Sequence, residues 1–143
     1  MSSLFELVGN TPLVEMTGIS PCPTVKIYAK MEMYNPTASV KARAAAQILE
    51  RGEQEGRITK GSTILDASSG NTGIAYAAFA AAKGYRLKLC VPKNINAERK
   101  ALLMAYGVEC IYTSLYGKVI HQYFLEMHML DYLKLHYIIS VVF

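Results

Sequence analysis

The spacing of apolar residues changes several times along the chain, and the first changes predict two short strands. The runs 12–16 and 24–30 are rich in β-branched and other apolar residues, and a loop rich in Gly and Pro separates them from Gly18 to Pro23. Runs this short bury little surface by themselves. They therefore predict a small β unit that needs a partner.

A helical pattern follows from Val40 to about Glu55. Strong helix formers fill this stretch, Ser39 precedes it as a possible N-cap, and Gly56 follows it as a stop. Its apolar residues at helical spacing are Ala44, Ala45, Ile48 and Leu49. The pattern predicts an amphipathic helix.

The next part of the chain alternates between short apolar runs and longer helical patterns. Strands are predicted at 63–67, 86–91 and 108–112, with helices at 72–83 and 97–106 between them; Gly84, Pro92 and Gly107 punctuate the series. Strands that alternate with helices imply right-handed βαβ crossovers and a parallel sheet. The predicted fold class is α/β, a parallel sheet flanked by helices.

Composition and charge limit the possible classes of protein. A chain of 143 residues with 52% hydrophobic content can bury one core, so we expect a soluble globular domain. The net charge of +4 is spread along the chain, with only Arg99 and Lys100 adjacent, so no nucleic-acid surface is expected. The start has no secretory signal pattern and no run is long enough to span a membrane, so a cytoplasmic location is expected.

The cysteines give no sign of a metal site or a disulfide framework. Cys22, Cys90 and Cys110 form no Cys-x-x-Cys pair and have no histidine at ligand spacing. We interpret them as reduced thiols that behave as small apolar residues. No metal is predicted.

The turn Ser68–Gly73 is the first candidate for chemistry. It follows a predicted strand and opens a helix, and in parallel sheets ligands bind beyond the carboxyl ends of strands. Its glycines allow close backbone approach, while Asn71, Thr72 and free helix amides offer donors to a carboxylate or phosphate. The turn has neither the P-loop nor the dinucleotide pattern. A capped helix start without a ligand is the alternative.

A second segment, Asn35–Arg43, changes the interpretation of that turn. It carries Asn-Pro and then Ser-Val-Lys, with Lys41 as the lysine, and the pair of segments resembles the fold-type II pyridoxal-phosphate enzymes. The resemblance is closest to cysteine synthase (O-acetylserine sulfhydrylase), with cystathionine β-synthase as near kin. It covers roughly residues 4 to 114, including the opening Val8–Val14, and Thr72–Ala75 favours this branch over threonine dehydratase.

The resemblance implies specific roles for the two segments. Lys41 would form the Schiff base with pyridoxal 5'-phosphate and later remove the substrate α-proton, which suits a lysine kept neutral by burial. Asn71 would bind the cofactor's 3-hydroxyl oxygen. The residues implied to surround the substrate carboxylate are Ser68, Ser69, Gly70, Asn71 and Thr72. Arg43 is either a carboxylate clamp or, as we favour, a structural arginine.

The same resemblance implies the reaction and its substrates. It would be a β-replacement, in which an activated serine such as O-acetylserine and sulfide give L-cysteine. Ala42 and the pair Ala67-Ser68 depart from the usual family residues, which leaves the choice of activated serine open.

Residues 115–143 depart most from the family pattern. This tail has no alanine and holds all three histidines, and we expect that it does not derive from the family. The predicted organisation is 1–37 as strands that would normally join a large second domain, 38–114 as the small α/β domain, and 115–143 as the divergent tail. Much of the second domain would be missing, so we expect weak or no catalysis by this chain alone.

Two other functions stay open beside the enzyme. The chain could be a non-catalytic partner that binds a full-length homologue, or pairs with itself, through the open edges of its N-terminal strands. It could also be a nonfunctional remnant.

Overall fold

A computed structural model describes residues 3–113 of the chain. The expectation that the tail does not derive from the family and the prediction about the extreme amino terminus fall on residues outside this range. The elements are β1 (Leu13–Glu15), β2 (Tyr28–Lys30), α1 (Lys41–Gln54), β3 (Thr63–Asp66), α2 (Asn71–Lys83), β4 (Arg86–Pro92), α3 (Ala97–Ala105) and β5 (Glu109–Thr113). Two 3-10 turns, Phe5–Leu7 and Glu32–Tyr34, were not predicted.

The three later strands form a parallel sheet in the order β3-β4-β5, which confirms the predicted α/β fold. Ile64 pairs with Leu87, and Leu89 pairs in turn with Cys110. Every residue of β3 is buried, as expected for a parallel strand with both faces covered. The sheet therefore fixes where the β3 to α2 turn lies.

The helices pack around α2, which is buried along most of its length. Helix α1 packs against α2, and α3 contacts both α2 and β5. The ring of Phe5 lies against that of Phe79 with centroids 4.7 Å apart, which brings the amino-terminal 3-10 turn onto α2. The large side chains that are almost completely buried are Tyr76, Phe79, Leu49, Leu65, Leu89, Leu103 and Val91.

The buried face of α1 is rotated from the predicted face. Ala42, Ala45, Ala46 and Leu49 are buried, whereas Ala44 is exposed, so the prediction that placed Ala44 on the apolar face was wrong. The buried positions follow the helical spacing i, i+3, i+4, i+7 toward α2. Gly56 ends the helix with a φ of +69°, as predicted for a glycine stop.

The two N-terminal strands pair with each other in an antiparallel ladder, with Val14 opposite Ala29. Strand β2 is shorter than the predicted run 24–30. All three residues of β1 are exposed. Within residues 3–113, no helix is both long enough and apolar enough to cross a bilayer.

Candidate functional site

The first turns of α1 and α2 lie at the same edge of the sheet. Both helices run opposite to β3, since α1 precedes that strand and α2 follows it, each through a short loop. Their carboxyl ends are tied together by Glu53, which accepts hydrogen bonds from Lys83 and, at 2.6 Å, from the Tyr85 hydroxyl. Their amino ends, with Lys41 and Asn71, therefore share the carboxyl edge of β3, where ligands bind in parallel sheets.

Lys41 is the first residue of α1, and its side chain is exposed. Its backbone N–H donates to the Ser39 hydroxyl at 3.2 Å, but the N-cap position itself falls on Val40, which makes no side-chain cap hydrogen bond, so the prediction of Ser39 as the N-cap was wrong by one residue. Within residues 3–113 the Lys41 ammonium has no hydrogen-bond or ion-pair partner. The burial expected for this lysine is thus not supplied by the described residues, because it projects from the first turn of the helix.

The loop 67–70 is packed closely against the first turn of α2. The Ser68 hydroxyl accepts a hydrogen bond from the Gly73 N–H at 3.0 Å. A Cβ at Gly73 would lie only 2.4 Å from the Ser68 carbonyl oxygen. A serine hydroxyl is also a donor, so the Ser68 O–H is still available to a ligand while its oxygen caps the helix.

Asn71 and Thr72 occupy the first two positions of α2. Asn71 is exposed and Thr72 is half-buried, and neither backbone N–H has a partner among residues 3–113. Free amides at a helix start attract an anion, because they add to the positive end of the helix dipole. Ser69 and Gly70, both half-buried, lie in the preceding turn. The structure thus brings all the predicted loop residues to one edge.

Asp66, the last residue of β3, lies directly before the candidate loop and was not singled out in the sequence. It is only 4% exposed; its Oδ1 accepts from the Ala67 N–H at 2.6 Å, while its Oδ2 has no partner among the described residues. Burial raises the pKa of its carboxyl to about 6. A carboxylate within an apolar strand directly before the candidate loop was the available signal.

Cys90 lies buried on the neighbouring strand β4, in agreement with its interpretation as a core thiol. Burial, with a smaller contribution from the Asp66 charge, raises the pKa of the Cys90 thiol. The thiol therefore stays protonated at neutral pH and is not a reactive nucleophile.

Arg43 is held in an ion pair inside the chain. Its Nε lies 2.8 Å from the Glu32 Oε2, and the hydrogen bonds that the guanidinium donates to Glu32 raise its pKa. This contact supports the structural role favoured for Arg43 over the role of substrate clamp. Glu32 was not singled out in the sequence, since its partner lies in a different element.

The described residues match two groups of the implied ligands, which are the aldehyde of the cofactor and the carboxylate of the substrate. The Lys41 amine and the amides of Asn71 and Thr72, which have no partner in the described part of the chain, suit an aldehyde and a carboxylate respectively. Within the described part of the chain, no group of three or more His, Cys, Asp and Glu side chains is placed to hold a metal ion.

Comparison with known sequences identifies a protein family and its relatives. A family profile described as "Pyridoxal-phosphate dependent enzyme" matches residues 4–128, so it overlaps the predicted tail over 115–128. Cysteine synthase B from Escherichia coli strain K12 is 46% identical over 111 residues, which cover 78% of this chain and 37% of the relative. A probable cysteine synthase from Bacillus subtilis strain 168 is 44% identical over 108 residues, covering 76% of this chain and 35% of the relative.

Solved structures of related enzymes also match this chain. A hydrogen sulfide-producing enzyme from Fusobacterium nucleatum matches with a TM-score of 0.86 and 38% identity, covering 97% of this chain and 45% of the other. A cysteine synthase from Entamoeba histolytica matches with a TM-score of 0.83 and 31% identity, covering 97% and 42%. The chain spans about a third of the length of the two curated relatives named above.

Proposed function

The chain belongs to the pyridoxal-phosphate dependent enzyme family, and from this membership we propose that it carries the lysine and carboxylate-binding parts of a β-replacement site. The predictions of cysteine synthase ancestry and of pyridoxal phosphate as the family's cofactor are confirmed. The domain boundaries, the origin of the tail and the cytoplasmic location stay predictions.

One observation carries the proposal: an amine without a partner among residues 3–113 and a helix start with two free amides occur at the same edge of the sheet. Lys41 opens α1 and Asn71 opens α2, and both lie beyond the carboxyl end of β3. An amino-acid substrate needs both groups. Its carboxylate requires fixed donors, and its α-carbon requires a base nearby.

The residues divide the work of the proposed site. When bound, the cofactor supplies the electron sink that makes the α-proton acidic. Lys41 would hold the cofactor through its amine and move the α-proton with the same nitrogen. The amides of Asn71 and Thr72 and the Ser68 O–H would orient the substrate carboxylate, with Ser69 and Gly70 shaping the turn, and the Asn71 side chain would contact the cofactor's 3-hydroxyl oxygen.

We propose an activated serine, O-acetylserine, and sulfide as the substrates, with L-cysteine and acetate as the products. The support comes from the relatives, whose names describe cysteine synthases. In the net reaction the bond between Cβ and the acetate oxygen breaks, and a bond between Cβ and sulfur forms. The α-proton removed by Lys41 is returned to the same carbon.

Covalent labelling tests the proposal directly. The purified chain is mixed with pyridoxal phosphate and reduced with borohydride, and the modified lysine is mapped. We expect selective modification of Lys41 that a Lys41→Ala variant abolishes and a Lys60→Ala variant retains, since Lys60 is exposed in the connection from α1 to β3 at the opposite edge. Labelling spread evenly over the lysines would contradict the proposal.

Turnover is a separate measurement from labelling. Formation of L-cysteine from O-acetylserine and sulfide would show that this chain completes the reaction, and it also decides the prediction of weak or no catalysis by the chain alone. Labelling without turnover would keep the cofactor-binding part of the proposal and remove the catalytic part.

A binding role is the second candidate, and the β1–β2 pair favours it. Leu13, Val14 and Tyr28 are 62%, 42% and 49% exposed, which leaves apolar side chains on an open two-stranded sheet. The expected partner is a full-length homologue or a second copy of the chain. Co-elution with a full-length homologue, lost on Leu13→Lys, would support this role, and separate elution would contradict it.

A further inference from the structure

The Glu32 carboxylate joins residues from both sides of Lys41. Its Oε2 accepts from the Asn35 Nδ2 at 2.8 Å and from the Arg43 Nε at 2.8 Å. Asn35 precedes Lys41 in the chain and Arg43 follows it. One carboxylate oxygen therefore closes the segment 35–43 into a loop, with the lysine inside it.

The second carboxylate oxygen ties this loop to the amino-terminal segment. Oε1 accepts from the Thr11 hydroxyl at 2.8 Å and from the Arg43 Nη2 at 2.9 Å, and Thr11 is buried. Hydrogen bonds from Arg43 and Thr11 hold the pKa of Glu32 at about 2. The carboxylate is consequently ionised across the physiological range, and charge-assisted bonds of this kind are the stronger ones.

Asn35 is fixed on every side. Its Oδ1 accepts from the Gly9 N–H at 2.9 Å, and its Nδ2 also donates to the Glu32 carbonyl at 2.9 Å. Its own carbonyl accepts from the Ala38 N–H at 2.8 Å. Ala38 has a φ of +51°, a left-handed conformation that a non-glycine residue keeps only when its surroundings enforce it.

We propose that Glu32 is a positioning residue for Lys41: by holding Asn35 and Arg43 together, it fixes the start of α1 and the direction in which the lysine amine points. The inference rests on the proposed function of Lys41. A simple surface ion pair does not account for the contacts, because this carboxylate collects donors from Thr11, Asn35 and Arg43, which lie in three separate parts of the chain.

Glu32→Gln is the direct test, with Glu55→Gln as the matched control. Glutamine keeps the shape of glutamate but replaces one carboxylate oxygen with an NH2 group. That group is a donor and cannot accept the hydrogen bonds that converge on the carboxylate from Asn35 and Arg43. Glu55 also accepts from arginines of the chain, Arg51 and Arg57, but at the carboxyl end of α1. We expect Glu32→Gln to lower the borohydride-fixed label on Lys41, relative to the other lysines, by about tenfold. Glu55→Gln should leave it unchanged.

Tryptic cleavage after Lys41 and Arg43 gives a readout that needs no cofactor. A closed loop resists cleavage, so Glu32→Gln should be cut faster at these two sites and Glu55→Gln should not. If Glu32→Gln fails to fold by circular dichroism, Thr11→Val removes one donor to Oε1 and should show the same changes at smaller size.

The outcomes separate this inference from the proposed function. Equal labelling of Lys41 in the wild-type chain and in a folded Glu32→Gln variant overturns the inference and leaves the proposed function standing. Failure of the wild-type chain to label at Lys41 overturns the proposed function. In that case unchanged cleavage in Glu32→Gln also overturns the inference, whereas faster cleavage supports Glu32 as the residue that holds the loop.

Discussion

Addition of one methyl group at Gly73 measures how closely the candidate loop is packed on α2. The Cβ of an alanine there would lie 2.4 Å from the Ser68 carbonyl oxygen and 3.1 Å from the Leu89 Cδ1. The first contact is with backbone, so no side-chain rotation relieves it. The loop 67–70 must move away from the helix.

The expected loss of stability is a balance of three effects. Alanine is better than glycine inside a helix by about 1 kcal/mol. Overpacking against a fixed neighbour costs about 1–3 kcal/mol, and movement of Ser68 weakens its hydrogen bond with the Gly73 N–H, worth about 1 kcal/mol. The net prediction is a decrease of about 1–3 kcal/mol in the free energy of unfolding.

Urea unfolding followed by circular dichroism measures this change, and Gly70→Ala is its control. Gly70 has an extended backbone, with φ −100° and ψ −158°, and a Cβ there meets nothing within 4 Å. Alanine at position 70 caps the helix less well, which destabilises the native state, but it also restricts the unfolded chain, which stabilises the native state. We expect these two effects on the free energy of unfolding to cancel to within about 0.5 kcal/mol. Equal unfolding free energies for Gly73→Ala and Gly70→Ala would refute the close packing of the loop.

Three further predictions use the same unfolding assay. Asp66 has a native pKa of about 6, above that of an unfolded aspartate, so the native state binds more protons than the unfolded state between about pH 4 and about pH 6. The free energy of unfolding should therefore fall as pH rises through this range, and Asp66→Asn should remove that fall. Parallel pH profiles for the two proteins would contradict the assignment. Tyr85→Phe removes the hydrogen bond to Glu53 and should cost about 1 kcal/mol; no change would mean that this bond does not hold the helix ends together. Lys41→Ala should change stability by less than about 0.5 kcal/mol, because the side chain is exposed, and a larger loss would reveal a structural role.

Local patterns were enough to predict most of the fold. The sequence predicted the three parallel strands and the helices between them, since each element repeats its apolar residues at its own spacing. The helix ends were also predicted from glycines, such as Gly84 with a φ of +72°, because glycine adopts a left-handed backbone conformation at little cost. The buried face of α1 was predicted wrongly at Ala44, because packing against α2 buries Ala42, Ala45 and Ala46 instead.

The sequence by itself determined the candidate chemistry: Lys41 and the turn Ser68–Gly73 stand out by motif, and the parallel alternation predicts that the turn lies at a sheet edge where ligands bind. Only the tertiary structure decided how these residues are supported. The contact between Glu32 and Arg43 joins residues of different elements, and the buried carboxyl of Asp66 depends on the packing around β3. Spacing along the chain specifies local elements, whereas ion pairs and burial arise only when distant segments come together.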